Sequence, residues 1–399
     1  MSSERDILSV EELNLTARHS IKNIIEKEEF TSYSVDVRDP TSSIGNLFGF
    51  LQTVIITGKT KDNNKKELML FLKNFIPEQK QYSALDVPEA YQREAFMYKE
   101  LFKLFETIED KYEIPQEEKL NTVKGYSETN DEVIILEDVS FKDYKTYDGS
   151  EVMPLKYAEL SIEQLAKLHA VAFIIQKENP TYFEEKIKTL NASYIFGLNL
   201  EIYFKNCCDI AKEALDEDAK SKLEQFFPKL IKVYSKYKYA TLGEAICIVH
   251  SDYRINNIMV KEFDGQASKV IPIDYQLTHF GHPITDLLHF IFLGSDQDFR
   301  KNHMNHLKEL YYSSFEKFLK RFDIVAENVY SKKKFEQDFS ENMDYGLMCF
   351  LFYLPYTFGK RGEAPILVKG LEDIPIDLDD SYKDRFRGIV DDLIQWGYL

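Results

Sequence analysis

Residues 248–276 read IVHSDYRINNIMVKEFDGQASKVIPIDYQ, and the fold turns on this stretch. Two β-rich runs flank the turn Asp264-Gly265-Gln266, and Asp-Gly between such runs is a strong short-range hairpin signal. Ahead of the hairpin, His250, Asp252 and Asn257 stand in the spacing H-x-D-x-x-x-x-N, and behind it comes Asp274. A strand leads into a loop that presents Asp252, Asn257 closes the loop, and the hairpin folds the chain back so that Asp274 arrives beside Asn257. Two oxygen ligands at opposite ends of a hairpin suit a hard divalent ion, and magnesium favours a few protein oxygens together with substrate phosphates. Asp252 is then placed to accept a hydroxyl proton and to orient that hydroxyl in line with a terminal phosphoryl group. Taken singly, each residue has an ordinary use: a chance H-x-D, an Asn256-Asn257 pair capping a turn, an aspartate capping the next helix. The joint spacing with the intervening hairpin is what makes the signal specific.

Working outward, the N-terminal side is rich in strands. Residues 9–28 have helical periodicity, with Ser9 and Glu12 in a capping-box pattern, and form a helical extension before the first sheet. From Ile44 to Thr57 a β-rich run carries Gly45 and Gly49, and KDNNKK supplies a polar turn before ELMLFLKNF. The run Leu68 to Leu72 is continuously apolar, as in a strand covered on both faces, and Lys73 sits at its end. PEAYQREAFMYKELFKLFETI, residues 88–108, is a long helix carrying Glu94, and VIILEDV, residues 133–139, is a further strand. SIEQLAKLHAVAFIIQ then reads as an amphipathic helix opened by Ser161 and Glu163, residues 194–237 are mostly helical, and the C-terminal third is helical apart from the hairpin. The class is α+β with two lobes, a small β-rich lobe over 1–138 and a large, mainly helical lobe over 139–399.

The bulk properties agree. At 399 residues the chain exceeds one hydrophobic core, and its net charge of -17 opposes binding to a nucleic-acid backbone. The four cysteines show no CxxC spacing, as expected of reduced thiols in the cytosol, and MSSERDILSVEEL resembles no signal peptide, so a cytoplasmic location is expected. No apolar run approaches the ~20 residues of a membrane span. Oligomeric state is not readable from the sequence.

The chain resembles the ecdysteroid-kinase-like family, which is close to the choline-kinase-like and aminoglycoside-phosphotransferase-like enzymes. HSDYRINNIMV and IDYQ look like that family's H-G-D-x-W-x-N-N-x-M-F loop and D-F-Q motif. VIILEDV looks like its lobe-linking strand, LAKLHA with His169 like its first large-lobe helix, and HPITDLLHF with Pro283 and Asp286 like its S-P-x-x-D-L segment. The likeness runs in order from about residue 40 to about residue 360. It implies a protein-kinase-like fold and an ATP-dependent kinase. Asp252 would be the catalytic base, Asn257 and Asp274 the Mg2+ ligands, and Lys73 paired with Glu94 would lie over the α- and β-phosphates. Gly45 and Asn46 of the glycine-bearing loop, with Glu137 and Val139 of the linking strand, complete the nucleotide-binding candidates. SSIGNLFGF lacks a full G-x-G-x-x-G, so the loop alone is a weak signal.

Three positions depart from the family pattern: Ser251 stands for glycine, Tyr275 for phenylalanine and Arg254 for tryptophan. Arg254 either reaches the transferring phosphoryl group as a catalytic cation, or it is an arginine that faces solvent or pairs with an acidic neighbour. His250 and Asp286 are expected to brace the loop. No A-P-E segment follows Asp274, so a protein substrate is disfavoured. The resemblance implies a hydroxylated lipophile, an ecdysteroid or a xenobiotic, with a choline-like alcohol as the alternative. The aromatic helix from Tyr345 to Phe358 either lines that acceptor's pocket or fills the core. The rival class is a catalytically weak kinase-fold protein that binds nucleotide or ligand without turnover.

Overall fold

A computed structural model describes residues 13–39, 49–75, 86–191, 199–238, 247–360 and 377–399. The N-terminal lobe is built on one antiparallel sheet in the order β1 (Phe30–Arg38), β2 (Phe50–Thr60), β3 (Lys65–Asn74) and β4 (Val133–Glu137). Helix α1 (Leu15–Lys27) covers one face of it: Ala17, Ile21, Ile24 and Ile25 recur at helical spacing and pack on Val54, Ile56, Leu70 and Leu72. The helix starts later than its periodicity suggests. Asn14 caps it by accepting the Ala17 N–H at 2.7 Å, while Ser9 and Glu12 lie outside the described residues.

Two further expectations change here. The first strand precedes the glycine-bearing loop: β1 is an edge strand whose half-exposed polar alternation hides it from a search for apolar runs. Strand β3 is sealed on one face only. Leu70 and Leu72 are fully buried under α1, whereas Met69 and Phe71 on the other face are half-buried beside Lys73.

Helix α2 (Val87–Phe96) is capped by Asp86, passes through a π-helical turn at Met97–Leu101 and continues as α3 (Phe102–Lys111), so the expected long helix carries one bulge. The C-terminal lobe is organised around α4 (Leu155–Glu178), which is buried along most of its length. It begins six residues before Ser161, because Tyr157 and Ala158 already continue the apolar stripe. Ser161 is therefore no cap: its hydroxyl donates back to Tyr157 O at 2.8 Å inside the helix. Around α4 pack the short α5 (Pro180–Tyr182), then α6 (Asn199–Ala211), α7 (Glu217–Lys238), α8 (Pro283–Gly294), α9 (Gln297–Arg321), α10 (Ala326–Val329), α11 (Lys332–Glu341), α12 (Asp344–Phe358) and α13 (Tyr382–Gln395).

Short strands complete this lobe. Strand β5 (Tyr144–Lys145) joins the hairpin β7 (Ile258–Phe263) and β8 (Gln266–Pro272), and β6 (Cys247–Val249) pairs with β9 (His279–Gly281). The hairpin has the expected turn: Phe263 faces Gln266, and Asp264 and Gly265 both take positive φ, at 50° and 72°, as a two-residue type I′ connection requires. The β6–β9 ladder was not anticipated, since three residues are too few to show a period. The chain is thus an α+β, two-lobe molecule. Among the described residues no helix is long and apolar enough to cross a membrane.

Candidate active site

Strand β6 delivers the chain into the loop His250–Asn257, and helix α8 holds that loop from behind. Asp286 accepts the His250 N–H at 2.6 Å on Oδ2 and the Ser251 N–H at 2.8 Å on Oδ1. His169 of α4 contacts the same carboxylate at 3.1 Å and Tyr311 OH at 2.7 Å. Burial works to raise the Asp286 pKa, but the hydrogen bonds from His169 and the backbone outweigh it, and the carboxyl is held below its ordinary range. The His250 ring bonds Ile273 O at 2.9 Å, tying the loop to the far end of the hairpin.

Where the related pattern has glycine, Ser251 keeps a left-handed backbone with φ of 67°, and its hydroxyl bonds His279 Nδ1 at 2.9 Å. Asp252, 4% exposed, receives Asn257 Nδ2 on Oδ2 at 2.7 Å and Arg254 Nε on Oδ1 at 2.9 Å. Asn257 Nδ2 also donates to Asp252 O at 3.0 Å, so the amide oxygen is the end of Asn257 left for another partner. Of the readings of Arg254, this geometry is the pairing with an acidic neighbour. The guanidinium also bonds Asn256 Oδ1 at 3.1 Å and lies 5.3 Å from the ring centroid of Tyr353 on α12. Burial opposes its charge, but Asp252 outweighs that and the pKa lies above the ordinary value.

Across the hairpin, Ile273 N donates to Asn257 O at 2.9 Å, which sets Asp274 next to the loop's end. Asp274 takes φ of 66°, a second left-handed residue. Its carboxylate reaches the other lobe, with Lys73 Nζ of β3 at 2.7 Å from Oδ1. The same ammonium bonds Glu94 of α2 at 2.9 Å and Gln276 at 3.0 Å. One buried cation thus gathers two carboxylates. Burial works to lower the Lys73 pKa, but Asp274 and Glu94 reverse the effect and the ammonium stays charged. Glu94, the more enclosed of the two acids, has its pKa pushed up by burial, with Lys73 opposing the shift and Asp274 adding to it.

Asp252, Arg254 and Asn257 therefore share one loop, and Lys73, Glu94 and Asp274 share one ion network joining the lobes. Glu137 and Val139 stand where β4 leaves the sheet for a 3-10 turn, next to Asp138, which Thr53 anchors at 2.9 Å. Gly45 and Asn46 lie outside the described residues. Three participants carried no assigned role in the sequence. Gln276 stood in the D-Y-Q motif and was a fair candidate as a lysine partner. Tyr353 was one aromatic among many. Gly149 lies close against the side-chain end of Asn256, which would have to shift to admit a Cβ there, and nothing local in the sequence marks that approach. Leu347, Phe350, Leu351 and Leu354 of helix α12 fill the core, the second of its two expected uses, and Tyr353 meets Arg254.

Comparison with known proteins follows from this geometry. Among solved structures the chain is similar to the Plasmodium vivax ethanolamine kinase, with 13% identity, a TM-score of 0.39 and coverage of 87% of this chain and 79% of that one. It is similar to an aminoglycoside phosphotransferase from Streptomyces rimosus, at 11% identity and a TM-score of 0.33, covering 87% of this chain and 100% of that one. A glucosamine kinase gives 10% identity, a TM-score of 0.41 and coverage of 95% and 86%. No curated protein matches the chain. Residues 45–324, which hold the loop, the hairpin, Lys73, Glu94 and Asp286, match the sequence model of the ecdysteroid kinase-like family, and the chain belongs to that family of small-molecule phosphotransferases acting on hydroxyl groups.

Proposed function

We propose that this chain transfers the γ-phosphoryl group of ATP to the hydroxyl of a lipophilic alcohol, with an ecdysteroid or a hydroxylated xenobiotic as the acceptor class. One observation carries the reading. Lys73 from the small lobe and Asp274 from the far end of the large-lobe hairpin meet at 2.7 Å, beside the loop that presents Asp252. Nothing in core packing calls for a lysine and two acids at that junction, whereas a triphosphate needs a fixed cation and a metal-binding carboxylate there.

In this reading Lys73 holds the α- and β-phosphates, and Glu94 keeps the ammonium in place. Glu137 and Val139 flank the nucleotide's base at the lobe junction, which we set between residues 138 and 139, and Gly45 and Asn46, outside the described residues, are assigned to phosphate binding from the family resemblance. Asp274 supplies carboxylate oxygens and Asn257 an amide oxygen, a hard donor set that fits Mg2+. When bound, the ion neutralises charge on the phosphates. Asp252 orients the acceptor hydroxyl and takes its proton, while Asn257 Nδ2 and Arg254 Nε fix its carboxylate in one rotamer. Arg254 belongs to this machinery as a buried positive charge fixed on the base. The four unpaired, buried cysteines support a reducing, cytoplasmic setting.

The test is ATP turnover with magnesium over a panel of hydroxylated steroids, plant phenolics and choline-like alcohols, comparing wild type with Asp252→Ala. Asp252-dependent transfer, reduced by about 10²- to 10⁴-fold in the variant, is expected. Nucleotide binding without Asp252-dependent transfer to any acceptor would sink the reading in favour of a binding protein.

A further inference from the structure

The acceptor hydroxyl has little freedom in where it binds, and that makes the surroundings of Asp252 informative about acceptor charge. A hydroxyl that gives its proton to Asp252 must lie within hydrogen-bond reach of the carboxylate. Arg254 Nε sits 2.9 Å from Oδ1 of that same carboxylate. The hydroxyl oxygen is therefore within about 6 Å of Nε when it bonds Oδ1, and within about 8 Å when it bonds Oδ2. Arg254 is 7% exposed and cannot escape into solvent without breaking its bonds to Asp252 and Asn256.

Besides Asp252, the carboxylate of Asp274 also acts on its charge. Tyr353 contributes a ring 5.3 Å from the guanidinium carbon, and His289 of α8 lies against that ring at 4.8 Å. Tyr356, also on α12, is near enough to feel the Arg254 charge. His289 is buried and neutral, with a pKa lowered to about 4 by burial. Asp274 is committed to Lys73. Asp252 and Arg254 thus cancel one another. The aromatic ring that would stabilise an ammonium at this position already carries a guanidinium.

Building on the proposed kinase reading, we propose that Arg254 is a specificity-determining charge filter: it admits uncharged alcohols to Asp252 and turns away amino alcohols and quaternary ammonium alcohols. A cationic acceptor would surrender its hydration at a site where Asp252 is already paired with Arg254 and Asp274 with Lys73, and where the aromatic face is taken. An uncharged alcohol of the same shape meets no such cost.

The experiment compares choline with its uncharged carbon isostere, in which carbon replaces the quaternary nitrogen. Both are measured as phosphoryl acceptors and as competitors of the best acceptor from the panel, so a ratio is obtained even where turnover is slow. Wild type is expected to favour the isostere by about ten-fold or more in kcat/KM and in competition. Arg254→Lys retains the charge and should retain the preference. Arg254→Gln should move the ratio about ten-fold towards choline, whatever happens to kcat, because Asp252 then stands uncompensated. Equal or better use of choline by wild type overturns the filter while leaving the kinase reading intact. An unchanged ratio in a folded Arg254→Gln overturns the assignment to Arg254. Absence of Asp252-dependent transfer to any alcohol overturns the kinase reading and the filter with it.

Discussion

Asp286 accepts the backbone N–H of Ser251 at 2.8 Å, and it thereby holds a residue whose φ of 67° is unfavourable for any side chain larger than glycine. The other oxygen of Asp286 takes the His250 N–H at 2.6 Å, so one carboxylate satisfies both amides at the start of the loop. Asp286 and His250 are fully buried, and Ser251 is partly exposed. Asp286→Ala leaves two amides and His169 without their acceptor, at about 1–3 kcal/mol per buried unsatisfied group. We expect a loss of about 3–5 kcal/mol in urea unfolding. Asp286→Asn, which keeps one acceptor oxygen, should lose less. Equal stabilities for wild type and Asp286→Ala would show that the loop does not depend on this brace.

How much of this was legible in the sequence follows from the range of each interaction. The hairpin and its turn were readable because Asp264-Gly265 encodes the turn locally. Asp252, Asn257 and Asp274 were readable because the hairpin converts sequence spacing into proximity. The Lys73–Glu94 pair was proposed from the family resemblance, and its partner Asp274 lies 201 residues away, a separation that no local pattern bridges. Strand β1 escaped because an exposed edge strand needs no apolar run, and the β6–β9 ladder because three residues carry no period. The start of α4 was misplaced for a different reason. Ser161 is a good cap by residue type, but burial of Tyr157 and Ala158 extends the helix past it, so packing outweighs a local preference. The pairing of Arg254 with Asp252 was foreseen only as an unnamed acidic neighbour, beside a solvent-facing and a phosphate-facing reading, since an arginine side chain two residues from an aspartate can point either way.

Ser251 offers a measurement of backbone strain. A non-glycine residue in the left-handed region costs about 1–2 kcal/mol, and the Ser251 hydroxyl recovers part of that through its bond to His279 Nδ1 at 2.9 Å. Ser251→Ala loses the bond and keeps the strain, so it should destabilise by about 1 kcal/mol. Ser251→Gly loses the bond and the strain together and should fall within about 1 kcal/mol of wild type. Paired denaturant titrations give the comparison, and an alanine variant as stable as the glycine variant would refute the strain.

Tyr275 stands where the related pattern has phenylalanine, and the structure gives its hydroxyl nothing to do. The side chain is 0% exposed, packs edge-on against Phe102 at 4.9 Å and Tyr98 at 5.7 Å, and its hydroxyl has no hydrogen-bond partner among the described residues. Burying an unpaired hydroxyl costs about 1–3 kcal/mol. Tyr275→Phe keeps the ring packing and removes that cost, so its melting temperature should rise, consistent with a gain of about 1 kcal/mol. A lower melting temperature would mean that the hydroxyl has a partner in solution.

His289 predicts how stability responds to acid. Burial lowers its pKa from the ordinary 6.5 to about 4, against the pull of Asp252 and Asp286, while Arg254 and His250 add to the lowering. Its Nε2 is buried without a hydrogen-bond partner among the described residues, so protonation in the folded state gains no bond from them to offset the charge. The sign follows from linkage. The folded pKa is below the unfolded one, so between those values the unfolded chain binds the proton and the folded chain does not. This group leaves stability unchanged above about pH 6.5 and subtracts from it as pH falls, at about 1.4 kcal/mol per pH unit until about pH 4. His289→Phe removes the titrating group and keeps a ring against Tyr353. Urea unfolding of the two proteins at pH 7 and at pH 4.5 should show the variant losing less stability over that interval, by about 2–3 kcal/mol. Parallel losses in both would place the acid sensitivity elsewhere, with the Asp286–His169 pair next in line.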